Sequence, residues 1–344
     1  MRNVYGEVFK VEIFGESHSP EIGVLIESVP KGEQIDFAAL QAFMDRRAPG
    51  RDPFSTPRKE PDEPQFISGF DGSVADGTTI RAIIRNTNTR SGDYEKDVPR
   101  PGHADWPARV KFGENYSFAG GGKFSGRLTA PLCIAGGIAK QILAKRGVEV
   151  CAQAVEIAGQ KDESMMKEAI LAAKAEGDSV GGIIECRITG MPVGIGEHMF
   201  YGMENRISQA VFAIPAVKGI EFGAGFSSAR MKGSENNDEY RIVDGEVKVL
   251  SNNAGGILGG MTNGEPIVLR VAMKPTPSIF KTQKSIDLSA MRNVELNVKG
   301  RHDPCVVLRA VPCVEAACAI AALDALYSSQ ALHNHHPQAA EILV

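Results

Sequence analysis

The chain has 344 residues, 43% of them hydrophobic and 23% charged, enough for one large or two ordinary globular domains with ample core. A net charge of −4 and a pI near 6.0 argue against a nucleic-acid or membrane partner at the level of overall charge. No apolar run close to 20 residues stands out and the N-terminus carries no signal pattern, so a cytoplasmic protein is expected. The six cysteines (133, 151, 186, 305, 313, 318) show no CxxC spacing and read as reduced, buried thiols. With 37 glycines, several in strand-like segments such as Gly181-Gly182 and Gly255-Gly256, backbone is expected to lie close to backbone or to a ligand.

In chain order, residues 4–14 and 23–29 read as strands, the first ending in Gly15-Glu16-Ser17-His18. His18 at a strand end reads either as structural or, beside Glu16 and Ser17, as functional. Asp36 caps a helix with Phe37, Leu40, Phe43 and Met44 on one face, ending at Arg46-Arg47 before Pro49-Gly50. The two arginines are either partners of the helix dipole or ligand-binding cations. Residues 48–64 form a long polar loop, and strands follow at 65–69 and 79–85. His103 lies in a loop at 99–106, two residues from Asp105, and is a general-acid candidate.

The stretch Gly120-Gly121-Gly122-Lys123-Phe124-Ser125-Gly126-Arg127 leads into an apolar helix of small residues ending near Arg146. Its glycines permit positive φ, and its cations and hydroxyl stand at a helix N-terminus, so it reads as an anion site or, more blandly, as a turn and cap. Beyond it come a strand at 148–157, a helix opened by Asp162 or Ser164 and stopped at Gly177, strands at 181–189 and 217–222, and a helix at 203–213. Residues 226–249 read as an exposed loop with a hairpin. A second glycine-rich stretch, Ser251 to Gly260, precedes the strand Ile267 to Met273, and Lys274, Thr276 and Ser278 alternate from its end. That set reads as donors on one face or as an edge strand with polar alternation. A small-residue helix is expected from about Pro312 to Leu326. A polar, flexible tail is expected at 329–344; His333, His335 and His336 there suit a frayed terminus better than a metal site, and no metal is expected. No linker divides the chain, which reads as a single domain over 1–344 with a hint of two similar halves.

Six stretches together resemble one family, chorismate synthase. They are Gly15-Glu16-Ser17-His18, Arg100 to Asp105, the glycine loop at 120–130, Ser251 to Gly260, Lys274-Pro275-Thr276, and Gly300 to Pro312. The likeness runs in order from about residue 6 to about 328. It implies an α+β sandwich with sheets flanking a layer of core helices, and a homotetramer. It implies a 1,4-elimination of phosphate from 5-enolpyruvylshikimate 3-phosphate to chorismate, in the shikimate pathway to aromatic amino acids. It also implies reduced FMN, delivered by an external source. An imidazole, with an ordinary pKa of about 6.5, suits protonation of the leaving phosphate, a role the resemblance gives His103. It sets His18 beside the flavin and gives Asp303 a part in removing the ring proton. Substrate contacts fall on Ser17, Arg46, Arg47, Ser125, Arg127 and Arg301. Flavin contacts fall on Lys123, Ser125, Asn252, Gly259, Lys274, Thr276, Ser278 and Arg301.

The sequence departs from the family pattern at several places. Ala119, Lys123, Phe124 and Leu128 replace an arginine, an arginine, a serine and a glutamate; Ser19 replaces a glycine, and Asn88 an aspartate. These changes keep open a paralogue that binds FMN or a phosphorylated acid without eliminating phosphate. A His/Asp metal hydrolase built on His18, His103 and Asp303 is the remaining alternative, although no ligand-spacing motif supports it.

Overall fold

The alternation at the start of the chain resolves into one antiparallel sheet. β1 (Val4–Tyr5), β2 (Val11–Gly15), β3 (Glu21–Ile26), β4 (Gln65–Ser68) and β7 (Ile80–Arg85) line up in the order β1-β2-β3-β7-β4. The short pair β5 (Phe70–Asp71) and β6 (Val74–Ala75) lies beside it in sequence. The computed structural model describes residues 3–50, 54, 62–86, 97–113, 119–298 and 302–335, with the backbone alone for 331–335. A second antiparallel sheet, ordered β10-β15-β9-β8, is built from β8 (Glu149–Ile157), β9 (Gly182–Thr189), β10 (Val217–Phe222) and β15 (Ile267–Met273). Three exposed or half-exposed hairpins complete the strands: β11 (Tyr240–Val243) with β12 (Glu246–Val249), β13 (Ile257–Leu258) with β14 (Met261–Thr262), and β16 (Gln283–Asp287) with β17 (Arg292–Leu296).

Between the sheets lie the helices α1 (Phe37–Arg47), α3 (Thr129–Ala144) and α7 (Val307–His335). α3 packs on β3 and β7 of the first sheet, α7 on β8 and β9 of the second, and the two helices pack on each other. α2 (Asp105–Phe112), α4 (Glu163–Ala175), α5 (Met203–Phe212) and α6 (Gly233–Asn236) are peripheral. Asp36 and Asp162 cap α1 and α4, each accepting two backbone N–H groups of the first turn. The close-approach reading of the paired glycines holds: a Cβ on Gly182 would stand 2.1 Å from the Glu156 carbonyl oxygen, and one on Gly255 2.3 Å from the Gly223 nitrogen.

Four expectations change. α7 starts at Val307, not Pro312, because Pro312 is accommodated inside the helix. The helix also continues to His335, so the tail expected from 329 is helical over its first part; residues 336–344 lie outside the described chain. Within α7, Val307–Gln330 is long and apolar enough to cross a membrane by length and composition, a stretch missed in the sequence, but its apolar 18-residue core is buried between the sheets. Cys151 is exposed, while the other five thiols are buried, and all six are free.

The helix layer is tight because small residues face each other. A Cβ on Gly136 of α3 would stand 2.2 Å from the Ala316 Cβ of α7, and one on Gly137 would stand 2.4 Å from Leu40 of α1. One turn earlier, Cys133 and Cys313 also meet, with Sγ atoms 3.9 Å apart. The pairs 133–313 and 136–316 rise together, so α3 and α7 run in the same direction and bring their N-termini to the same end of the core. Asp324, near the far end of α7, accepts the backbone N–H groups of Glu7, Val8 and Phe9 at 2.8–3.0 Å and pairs with Arg206 at 2.9 Å. The substitution Gly136→Ala should destabilise the protein by about 1–3 kcal/mol through overpacking, although alanine is the better helix former by about 1 kcal/mol. Urea denaturation of the variant checks this, and stability equal to wild type would mean that the helices part at no cost.

Candidate active site

The three glycines at 120–122 adopt φ of 59°, 81° and 52°, a left-handed run that side chains disfavour. The turn is enclosed on both sides. A Cβ on Gly120 would lie 2.4 Å from His18 Nε2 and 2.5 Å from Ser17 Oγ, and one on Gly121 would lie 3.2 Å from His103 Nε2. Ser17 Oγ donates to the Gly120 carbonyl at 2.9 Å, and Ser17 N–H donates to that of Gly122 at 3.2 Å. Ser125 then caps a single helical turn by accepting from the Arg127 N–H, and α3 follows. The loop therefore joins two histidines from distant parts of the chain to one backbone wall.

His103 is held by Asp105, the first residue of α2. Its Nδ1 is 2.6 Å from Asp105 Oδ1, which fits an Nδ1–H donating to the carboxylate and leaves Nε2 toward the glycine loop. Arg100 grips the same carboxylate through its backbone N–H, Nε and Nη2 at 2.8–3.0 Å, and also donates to Ser278 at 3.2 Å. Burial alone would raise the Asp105 pKa, but the hydrogen bond from His103 and the Arg100 guanidinium hold it well below the usual carboxylate range. Lys274 Nζ donates to the Gly102 carbonyl and ties this loop to the end of β15.

A second cluster faces it. Arg47 and Arg127 are both buried and both bind Asp62, one on each carboxylate oxygen. Arg47 also donates to Thr129 Oγ1 at 3.0 Å and to the Gly126 carbonyl at 3.2 Å. Arg127 Nε reaches Asn86 at 3.1 Å. Burial pushes the Asp62 carboxyl up and the two arginines push it further down, so the net shift is downward. Arg309, in the first turns of α7, donates to Asp303 at 2.5 Å and to the Arg47 carbonyl at 3.0 Å. Its pKa is lowered by burial, only partly offset by Asp303.

Residues of both clusters line one cleft of about 430 Å³, within the usual range for small-molecule sites, with Asp62, Asn86 and Asp105 set behind its lining. Arg47, Arg100, Arg127, Lys274 and Arg309 face it, with Asp303 the single carboxylate among its described lining residues. The N-terminal turns of α3 and α7 both open onto it, through Thr129 and Val306, so two helix dipoles add positive potential to the cations. Thr276 Oγ1 is buried in the lining and has no hydrogen-bond partner among the described residues. A concave, strongly cationic cleft with an unsatisfied hydroxyl and a glycine wall is suited to a small polyanion.

Of the residues singled out from sequence, His103, Asp303, Arg47, Ser125, Arg127, Lys274, Thr276 and Ser278 line the cleft. Ser17 and His18 stand behind the glycine wall. Arg46 does not reach the cleft: one helix position from Arg47, it points elsewhere and binds Glu315 at 2.7 and 3.0 Å. Lys123 lies 3.5 Å from Glu16 and also stays outside. Asn252 instead clamps a turn, donating to the Pro266 carbonyl at 2.8 Å and accepting from Gly256 N–H at 2.7 Å, and Gly259 sits in the β13–β14 hairpin. Arg301 and Asn88 lie outside the described residues. Among the departures, Ser19 closes the turn after His18 by bonding Glu16 and Glu21, Leu128 packs on the core, and Phe124 lines the cleft. Sequence reading gave Arg309 and Asp62 no part in the site and counted Arg100 only among the cations suited to a polyanion; Arg100 and Arg309 both lie within the family-like stretches. No cluster of His, Cys, Asp and Glu suited to a metal occurs among the described residues.

The fold and the cleft define an α+β sandwich protein with a cationic site for a small polyanion. A family model for chorismate synthase matches residues 9–327. Chorismate synthases of Lancefieldella parvula and Korarchaeum cryptofilum are 46% and 43% identical, each match covering 95% of this chain and 97% and 98% of the relative. A crystal structure of a chorismate synthase superposes with a TM-score of 0.73 at 25% identity, covering 94% of this chain and 93% of that one. The chain belongs to the chorismate synthase family. Its activity is that of the family, a carbon–oxygen lyase reaction that eliminates phosphate from 5-enolpyruvylshikimate 3-phosphate to give chorismate.

Asp62 provides a test of the cationic cluster. Its replacement in Asp62→Asn leaves two buried guanidinium groups without their shared carboxylate, and should cost about 3–5 kcal/mol at neutral pH. The folded carboxyl titrates below its unfolded value of about 3.9. The stabilisation is therefore complete above that pH and is lost as pH falls toward the folded pKa. Urea unfolding of wild type and variant across this range should show their difference shrinking in acid; a difference independent of pH would contradict the ion-pair account.

Proposed function

We propose that this cleft binds 5-enolpyruvylshikimate 3-phosphate together with reduced FMN, and that His103 donates the proton to the departing phosphate. The observation that carries the reading is the hydrogen-bonded row Arg100–Asp105–His103, which turns the far imidazole nitrogen toward the glycine wall beside the arginine cluster. Arg47, Arg127 and Arg309 supply planar donors that match the carboxylates and phosphate of the substrate. Arg301 would join them by resemblance. Asp105 keeps His103 in one orientation, with its far ring nitrogen toward the glycine wall. Asp303, held by Arg309, is the carboxylate of this lining suited to assist loss of the ring proton.

Reduced FMN, when bound, supplies electron density to the substrate and takes it back, so the reaction has no net redox change. Thr276 with its unsatisfied hydroxyl, Lys274, Ser278 and the glycine wall backed by His18 fit such a group. We read the protein as a cytoplasmic homotetramer that receives flavin already reduced from an external source. Exposed apolar side chains on one stretch of the second half, among them Phe200, Tyr201, Phe226 and Ile242, support assembly.

Under strict anaerobiosis, one charge of photoreduced FMN should support many turnovers of phosphate release, and oxidised FMN none. A yield that stops at one product per flavin would defeat the cofactor's proposed role. The His103→Ala variant should lose roughly 10²–10⁴-fold in turnover, the usual share of a general acid, with little change in substrate affinity. Turnover near wild type would remove His103 from the chemistry.

A further inference from the structure

The floor of the cleft carries one cysteine, with a second behind it, that the elimination does not use. Cys313, on α7, lines the cleft beside Arg47, Thr129 and Arg309. Its thiol donates to the Arg309 carbonyl at 3.4 Å, and its Sγ is 3.9 Å from that of Cys133 on α3. The contact of Gly136 with Ala316 one turn further along fixes the helices at this spacing, so the two cysteines face each other on adjoining stripes. A sulfur–sulfur bond of about 2.05 Å lies within reach of side-chain rotation and a small helix shift.

The two thiols differ in environment. Cys133 is fully buried in apolar company, which pushes its pKa well up. Cys313 is brought down to about 7 by its hydrogen bond with Cys133, by Arg47, Thr129 and Arg309, against the opposing effect of burial. Cys313 borders the cleft and Cys133 lies behind it, the placement of an attacking and a resolving thiol.

We propose that Cys313 and Cys133 form an oxidisable pair that reacts with hydroperoxides entering through the cleft. Cys313 gives its proton to solvent and the thiolate attacks one peroxide oxygen; the O–O bond breaks, the sulfur becomes a sulfenic acid, and the departing hydroxide or alkoxide takes up that proton to leave as water or alcohol. Cys133 then loses its proton and attacks the sulfenic sulfur, forming the S–S bond and releasing water. The two sulfurs give up two electrons and the peroxide receives them. The inference needs the cleft and not the reaction assigned to it.

A second buried pair is an internal control: Cys186 and Cys318 also touch, but neither lines the cleft. The protein is exposed to hydrogen peroxide, denatured, alkylated and mapped by mass spectrometry without reduction. The expected product is a Cys133–Cys313 cross-linked peptide, reversed by dithiothreitol, with Cys186–Cys318 cross-linking roughly tenfold slower or less. In Cys133→Ser, dimedone should label Cys313 as the stranded sulfenic acid; in Cys313→Ser, Cys133 should stay reduced. Exposed Cys151 is followed as a separate peptide. Complete alkylation of both Cys133 and Cys313 in the treated wild type overturns the proposal, and so does cross-linking of the two pairs at equal rates. The wild-type measurement decides even if a serine variant does not fold.

Discussion

The contact on which the structure depends is the close, same-direction packing of α3 on α7. Gly136 against Ala316 removes the side-chain volume that would hold the helices apart. Each helix then covers one sheet, α3 the first and α7 the second. Because the helices run in the same direction, both N-termini emerge at one end, and the glycine loop before α3 meets the 302–306 segment before α7. Two dipole ends and the residues around them converge there without any long excursion of the chain.

That convergence concentrates positive charge in a partly buried place. Asp62 offsets two arginines, Asp105 one, and Asp303 one. Burying guanidinium groups is costly unless they are paired and hydrogen-bonded. The structural carboxylates stand behind or beside the arginines of the cleft. The same arrangement explains why Asp105 stays ionised: it must balance Arg100 while orienting His103.

Much of this was legible in the sequence because it is local. Caps at Asp36 and Asp162, the alternation of Ile267 to Met273, and the glycine run before an apolar helix all act within a few residues. What escaped notice acts over distance or breaks a local rule. Asp62 pairs with Arg47 and with Arg127, 65 positions on, and nothing near it in sequence announces that. Arg46 and Arg47 look equivalent on paper, yet a turn of one helical position sends one to Glu315 and the other to the cleft. Pro107 in its first turn hid the short α2, Pro312 hid the true start of α7, and polar alternation without a buried face hid the β16–β17 hairpin. The six family-like stretches gave the family and most lining residues, while Lys123, Asn252 and Gly259 show that a motif position is not always a position in this cleft.

Asp324 has a consequence for how the chain is made. It holds the backbone of Glu7, Val8 and Phe9 from more than 300 positions away. The helix that carries it also supplies the inner cover of the second sheet. A ribosome adding about 5–20 residues each second therefore releases the opening strands roughly 15–60 s before their anchor exists. Through that interval the first strands have no final partner at their leading edge, and the molecule can close only after α7 is free of the exit tunnel. Closure of the fold waits on α7, and the nascent chain depends in the meantime on whatever in the cell shields apolar strands.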